Sequence, residues 1–168
     1  MVIKVNKNII QKETNEKFYY YDSPIGLLEI CGTEKHIKSV FFRESEIHNV
    51  ERSSELLENC TQQLREYFNK ERKEFDLPLA PEGTIFQKAV WHALLEVPFG
   101  VTASYFDIAK KLDNPKAVRA VGGANGKNPI SIIIPCHRII GSSGKLIGYG
   151  GGLWRKKWLL QHEQNLLL

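Results

Sequence analysis

The sequence predicts an α+β fold: a small three-stranded antiparallel sheet with a helix, then a mostly helical part that contains a helix-turn-helix. Three observations carry this reading. Three short runs rich in aromatic and β-branched residues are separated by tight turns. An apolar stripe at spacings of three and four follows them. A break with two prolines and a glycine, residues 77–83, is then succeeded by two helix-capping signatures.

After a polar arm, Met1 to Gln11, the strands are Phe18 to Tyr21, Gly26 to Cys31 and Ile37 to Phe42. The intervening Asp22-Ser23-Pro24 and Gly32-Thr33-Glu34-Lys35 are short turns, so the strands pair antiparallel. The aromatic cluster Phe18, Tyr19, Tyr20 and Tyr21 suits sheet packing better than ligand binding. Leu56, Leu57, Cys60, Leu64, Tyr67 and Phe68 then recur with helical period, with Ser53 as N-cap, which places Cys60 on the buried stripe. The segment Leu77-Pro78-Leu79-Ala80-Pro81-Glu82-Gly83 divides the chain into residues 1–80 and 81–168. Beyond it, Thr84 and Gln87 have capping-box spacing ahead of an apolar face, Phe86, Ala89, Val90, Ala93 and Leu94, that Pro98 and Gly100 stop. Ser104 and Asp107 cap a short helix through about Lys111. Asp113-Asn114-Pro115 turns the chain into another, from Lys116 to about Ala124, with Arg119 on it.

Charge is unevenly spread. The 168 residues carry a formal net charge of +4, but residues 1–80 have 12 basic and 14 acidic side chains and residues 81–168 have 11 and 5. A basic second half is compatible with a polyanion partner and equally with an ordinary solvated surface. No apolar run approaches the roughly 18 residues of a membrane span. The start lacks an uninterrupted apolar core or a small-residue cleavage site, and three scattered cysteines make no disulfide framework. A reducing, cytoplasmic setting without membrane association is therefore expected.

The chemistry concentrates in Ile132-Ile133-Ile134-Pro135-Cys136-His137-Arg138. A branched run leads to a proline and then to a cysteine with an imidazole and a guanidinium beside it, neighbours that can raise the thiolate fraction. Adjacent side chains on a strand point to opposite faces, so His137 would reach Cys136 through water, oriented by a distant carboxylate such as Glu163. A reactive and a buried structural cysteine are both compatible with these residues. A zinc ligand fits less well, because no C-x-x-C, no second cysteine in this half and no H-x-x-H array completes a tetrahedral site.

Residues 98–163 closely resemble the O6-alkylguanine-DNA alkyltransferases, also called methylated-DNA-protein-cysteine methyltransferases. The likeness is carried, in order and spacing, by Pro98 to Tyr105, Arg119-Ala120-Val121-Gly122-Gly123-Ala124, Asn128-Pro129, Ile134-Pro135-Cys136-His137-Arg138 and Tyr149-Gly150-Gly151-Gly152-Leu153 running to Glu163; Ser23-Pro24-Ile25-Gly26 extends it toward the N-terminus. The resemblance implies a monomer whose helix-turn-helix enters the minor groove of double-stranded alkylated DNA and whose damaged nucleotide is flipped into the protein. In it, Arg119 fills the vacated stack, Tyr105 assists flipping and can donate to the purine, and Ala120 and Gly122 keep the helix slim. Cys136 is implied as acceptor nucleophile, His137 as water-mediated base, Glu163 as its orienter and Asn128 as support for the cysteine turn, with Tyr149 and Gly150 in the substrate pocket. Alkyl transfer from O6-alkylguanine, and from O4-alkylthymine, would be irreversible, once per molecule, and would need no cofactor.

Two departures accompany the likeness. Gly150 stands where some members have a serine, which predicts a roomier alkyl pocket and fewer side-chain contacts to the base. Some members also hold a structural zinc, but Thr33 and Lys38 fall near two of the ligand positions, and Cys31, His36 and His48 do not restore the set, so no metal is expected. Two other classes compete: a lesion-binding protein that does not repair, against which the presence of Cys136 argues, and a cysteine hydrolase, for which only the Cys/His part is visible.

Overall fold

In the computed structural model, residues 15–44 and 53–164 are described; the polar arm and His48 lie outside the described residues. Strands β1 (Lys17–Ser23), β2 (Gly26–Gly32) and β3 (Ile37–Arg43) form an antiparallel sheet in the order β1-β2-β3. The turn between β1 and β2 depends on Gly26, whose φ of +116° is open to glycine and strained for other residues. A Cβ there would also lie 2.8 Å from Arg155 Nη2.

Helix α1 (Glu55–Phe68) lies against the sheet, burying Leu57, Cys60, Leu64 and Tyr67 completely. Its N-cap is Ser54 rather than Ser53: the Ser54 side chain accepts from Leu57 N, the third helical amide, and Ser53 is one residue too early for that bond. The remaining elements are α2 (Ile85–Leu95), β4 (Ala103–Ser104), α3 (Tyr105–Lys111), α4 (Val118–Gly126), a 3₁₀ turn (Cys136–Arg138), β5 (Ile139–Ile140) and α5 (Leu153–Gln164). Both capping boxes form, Thr84 with Gln87 and Ser104 with Asp107. Helices α3 and α4 make the helix-turn-helix; Asp113 takes a positive φ in the turn, and α4 starts two residues later than its sequence suggests because the Ala117 amide still closes the turn on Asn114 O.

The two halves join along the free edge of β3. On it, Ile37 N donates to Pro78 O and Ala80 N to Ile37 O, both at 2.8 Å; further along, Val40 N donates to Pro129 O at 2.9 Å and Ser131 N to Val40 O at 3.0 Å. An edge strand offers a row of unpaired amides and carbonyls, and here two later segments of the chain cover it, residues 78–80 at the boundary and residues 129–131 from the second half. This contact decides the backbone that follows. Ile132 to Ile134 is not a strand: Ile130 is held against Val40, Ile132 turns through a φ of +73°, and Ile134 N bonds back to Ile130 O at 3.0 Å. Ile132, Ile133 and Ile134 are buried by this turn rather than by sheet pairing.

The apolar core runs continuously from the sheet through α1 into α2, α3 and α4. Trp91 adds a directed contact, donating from Nε1 to Ala124 O at 2.8 Å and so tying α2 to the end of α4. Leu64→Ala should lower the unfolding free energy by about 3 kcal/mol through the cavity it leaves. Ile85→Ala, at a site 92% exposed, should change it by less than about 0.5 kcal/mol. Chemical denaturation of the two variants checks the contrast.

Candidate active site

Cys136 opens the 3₁₀ turn at the end of the Ile130–Pro135 segment and is 5% exposed. Asn128 holds that segment together. Its Oδ1 accepts from Ile130 N at 2.9 Å, and its Nδ2 donates to Ile134 O at 2.8 Å and to Cys136 Sγ at 3.1 Å. Asn125 adds a contact to Cys136 O at 3.4 Å. Burial pushes the Cys136 thiol up, while the Asn128 hydrogen bond and the charge of Lys156 pull it back toward the thiolate. Cys60 has burial alone, which drives it up to about 12; at Cys31 burial, with help from Glu16, outweighs a hydrogen bond with Ser39 and the charge of Lys38 and drives the thiol up to about 11.

Next to Cys136, His137 is wholly buried and bonded through Nε2 to Glu163 Oε1 at 2.6 Å; Nδ1 has no hydrogen-bond partner among the described residues. Burial pulls the imidazole below its usual value against the raising effect of Glu163, so the ring is neutral near pH 7. Glu163, on α5, collects donors from three other segments. Arg138 reaches it with Nε at 2.8 Å and Nη2 at 3.0 Å, Tyr67 on α1 donates to Oε1 at 2.8 Å, and Gly100 N donates to Oε2 at 3.2 Å. Burial by itself would raise this carboxyl; hydrogen bonds and charges from His137 and Arg138 outweigh it and hold the group well below the usual carboxylate range. Arg138 is thereby committed to Glu163 and to Val97 O at 2.6 Å, and is not the thiolate-stabilising neighbour that its place in the sequence suggests.

Lys156, fully buried one turn into α5, donates to Ile139 O at 2.5 Å, Ile147 O at 3.0 Å and Gly148 O at 3.3 Å. Burial brings its ammonium down to about 8, opposed by Cys136. The Ile147 carbonyl also accepts the Tyr105 hydroxyl at 2.8 Å. Tyr105 leans over Gly122, where a Cβ would stand 3.8 Å from the ring, while Arg119 and Ala120 are exposed on α4. Tyr149 and Gly150 line a cavity of about 210 Å³ with Cys136, Asn128, Asn125 and Phe42. A Cβ on Gly150 would meet only Gly126 O, at 4.0 Å, so a serine has room there and would occupy part of the cavity.

Two family models match the chain: "6-O-methylguanine DNA methyltransferase, ribonuclease-like domain" over residues 17–81 and "6-O-methylguanine DNA methyltransferase, DNA binding domain" over residues 85–165. A methylated-DNA–protein-cysteine methyltransferase of Methanosarcina acetivorans is 49% identical over 153 residues, covering 86% of this chain and 97% of that protein. The chain belongs to the methylated-DNA–protein-cysteine methyltransferase family. A Haemophilus influenzae relative is 44% identical, with 88% of this chain and 86% of that protein covered. Among solved alkyltransferases, the Mycobacterium tuberculosis O6-methylguanine methyltransferase superimposes with a TM-score of 0.82 at 44% identity, over 89% of this chain and 93% of that one. The same mycobacterial protein solved in complex with DNA gives 0.82 at 45%, over 88% and 92%.

The structure thus gathers Cys136, His137, Glu163 and Asn128 into one cluster, puts Tyr149 and Gly150 on the cavity beside it, and sets Arg119, Ala120, Gly122 and Tyr105 on the helix-turn-helix. Spacing gave no sign of Tyr67, Gly100, Asn125 or Lys156. A lysine within Leu153–Gln164, a helix that also buries His162 and Glu163, is the one compositional hint.

Glu163 has a lower pKa folded than unfolded, so its stabilisation is complete above the ordinary glutamate value of about 4.3 and fades as the pH falls toward the folded value. Glu163→Gln leaves buried Arg138 without its anion and should cost about 3 kcal/mol at pH 7. The difference from the natural protein should narrow below about pH 4, measured by urea unfolding across pH. A pH-independent difference would mean that packing, not charge, holds the cluster.

Proposed function

We propose that this chain is a DNA-repair alkyltransferase that moves an alkyl group, chiefly methyl, from O6-alkylguanine in duplex DNA onto Cys136, once per molecule. One observation carries the reading: a buried cysteine whose sulfur accepts from Asn128, beside a histidine bonded to a buried carboxylate, in a chain of this family. His137 Nδ1, the ring atom without a hydrogen-bond partner among the described residues, takes the thiol proton through a bridging water. The sulfur attacks the alkyl carbon, the carbon–O6 bond breaks with its electron pair left on the guanine, and the leaving anion takes a proton from the Tyr105 hydroxyl, which regains one from water. A thioether remains, a bond that neither water nor a neighbouring amine readily cleaves. O4-alkylthymine fits the same reaction.

Delivery of the base belongs to the same proposal. The exposed face of α4 enters the minor groove, Arg119 replaces the flipped nucleotide in the stack, and the small residues Ala120 and Gly122 permit close approach. Tyr105 exchanges its bond to Ile147 O for one to the nucleotide. In this reading residues 81–168 form the DNA-binding domain, the protein acts as a cytoplasmic monomer, and no cofactor takes part.

Incubation with duplex DNA containing O6-methylguanine, followed by intact-protein and peptide mass, tests the proposal. One methyl per chain on Cys136 is expected, and none in Cys136→Ala, which should still bind the lesion. Binding without mass gain would indicate a lesion reader, and ester turnover without DNA a hydrolase. Arg119→Ala should slow repair in duplex at least about ten-fold more than reaction with free O6-benzylguanine, since only the duplex costs unstacking. Equal slowing on the two substrates would remove Arg119 from the flipping step.

A further inference from the structure

We propose that Tyr67, from the N-terminal half of the chain, is a positioning residue of the alkyl-transfer site: its hydroxyl limits how strongly Glu163 draws a proton onto His137. The proposal rests on the transfer reading above. Tyr67 is fully buried on α1, 96 positions away from Glu163, and its hydroxyl donates at 2.8 Å to Oε1, the same oxygen that faces His137 Nε2 at 2.6 Å. Arg138 Nη2 donates to this oxygen as well, at 3.0 Å, so three donors compete for its electron density, and the phenol weakens the hold of that oxygen on an imidazolium. Burial, then Glu163, raises the phenol well above its usual value, so the hydroxyl keeps the proton that it donates to the carboxylate.

The hydroxyl is also held in place. Phe68, Phe75, Phe99 and His162 surround the Tyr67 ring at centroid distances of 5.1 to 6.1 Å, and His162 Nε2 bonds to Tyr67 O at 2.8 Å. The charged and titratable groups that bear on the His137–Glu163 pair are Arg138 beside it in the 3₁₀ turn, Lys156 and His162 on α5, and Cys136 and Tyr149 at the cavity. Arg138 and Lys156 are cations near the pair with no side-chain freedom to compensate for a lost phenol, since both are buried and bonded to backbone carbonyls.

The test uses the full chain. Tyr67→Phe keeps the ring and removes the hydroxyl; 3-fluorotyrosine at position 67 makes a stronger donor. The His137 imidazole is titrated by ¹⁵N NMR, and single-turnover transfer from free O6-benzylguanine is followed across pH. In Tyr67→Phe the imidazole titration and the acid limb of the rate profile should move up by about half a pH unit, an about three-fold rate loss on the acid side. The rates should converge at high pH, and affinity for duplex should not change. The fluorinated protein should move both in the opposite direction, and it decides the matter alone if Tyr67→Phe does not fold. A uniform rate loss at every pH, or shifts of one sign in both proteins, would reduce Tyr67 to packing. The imidazole titration is read whether or not the natural protein transfers alkyl groups, so a failure of the proposed function and a failure of this inference remain distinct.

Discussion

A carboxylate taken out of water must be met by donors, and the structure around Glu163 is arranged by that requirement. Its two oxygens receive His137, Arg138, Tyr67 and Gly100, which come from the 3₁₀ turn, α1 and the loop after Pro98. These segments share no local sequence. The end of α5 can be buried only where all of them converge, and an error in any one would leave an unpaired charge in the interior. The His137 imidazole inherits its orientation from this convergence.

The edge of β3 supplies the second constraint. Pro129–Ser131 add to it through Val40, and the residues that follow cannot continue as a strand because Ile132 turns away with a positive φ. Asn128 satisfies the polar groups of that turn from inside, and its remaining donor falls on the cysteine sulfur. The thiol is thereby presented at the end of a rigid, strained turn and not on a mobile loop, which suits a displacement that needs a fixed line of attack.

Electrostatically the resting site holds a protonated thiol and a neutral imidazole, because burial disfavours the charged form of each. Asn128 and Lys156 act in the other direction on the sulfur, so less is required to form a thiolate there than at Cys60, which has burial alone. Cys136 and Cys60 differ in whether the buried sulfur has donors. Exposure does not distinguish them.

By itself the sequence determined what depends on neighbours along the chain. Aromatic and β-branched runs between turn residues mark β1 to β3, the stripe Leu57, Cys60, Leu64 and Tyr67 marks α1, and the pairs Thr84/Gln87 and Ser104/Asp107 mark the starts of α2 and α3. The motif residues Cys136, His137, Asn128 and Glu163 were legible too, through their types and order. What the tertiary structure alone decided was partnership. Arg138 beside Cys136 turns to Glu163, the isoleucine run becomes a turn because β3 offers an edge, and Tyr67, readable only as a core position, places its hydroxyl on a carboxylate 96 residues away. Helix α5 shows why: its buried face includes Lys156, His162 and Glu163, so no apolar period announces it, and the groups that satisfy those side chains come from distant segments. Local pattern reports which face of an element is apolar; it carries no record of where a buried charge finds its partner, because that partner is set by how the elements pack.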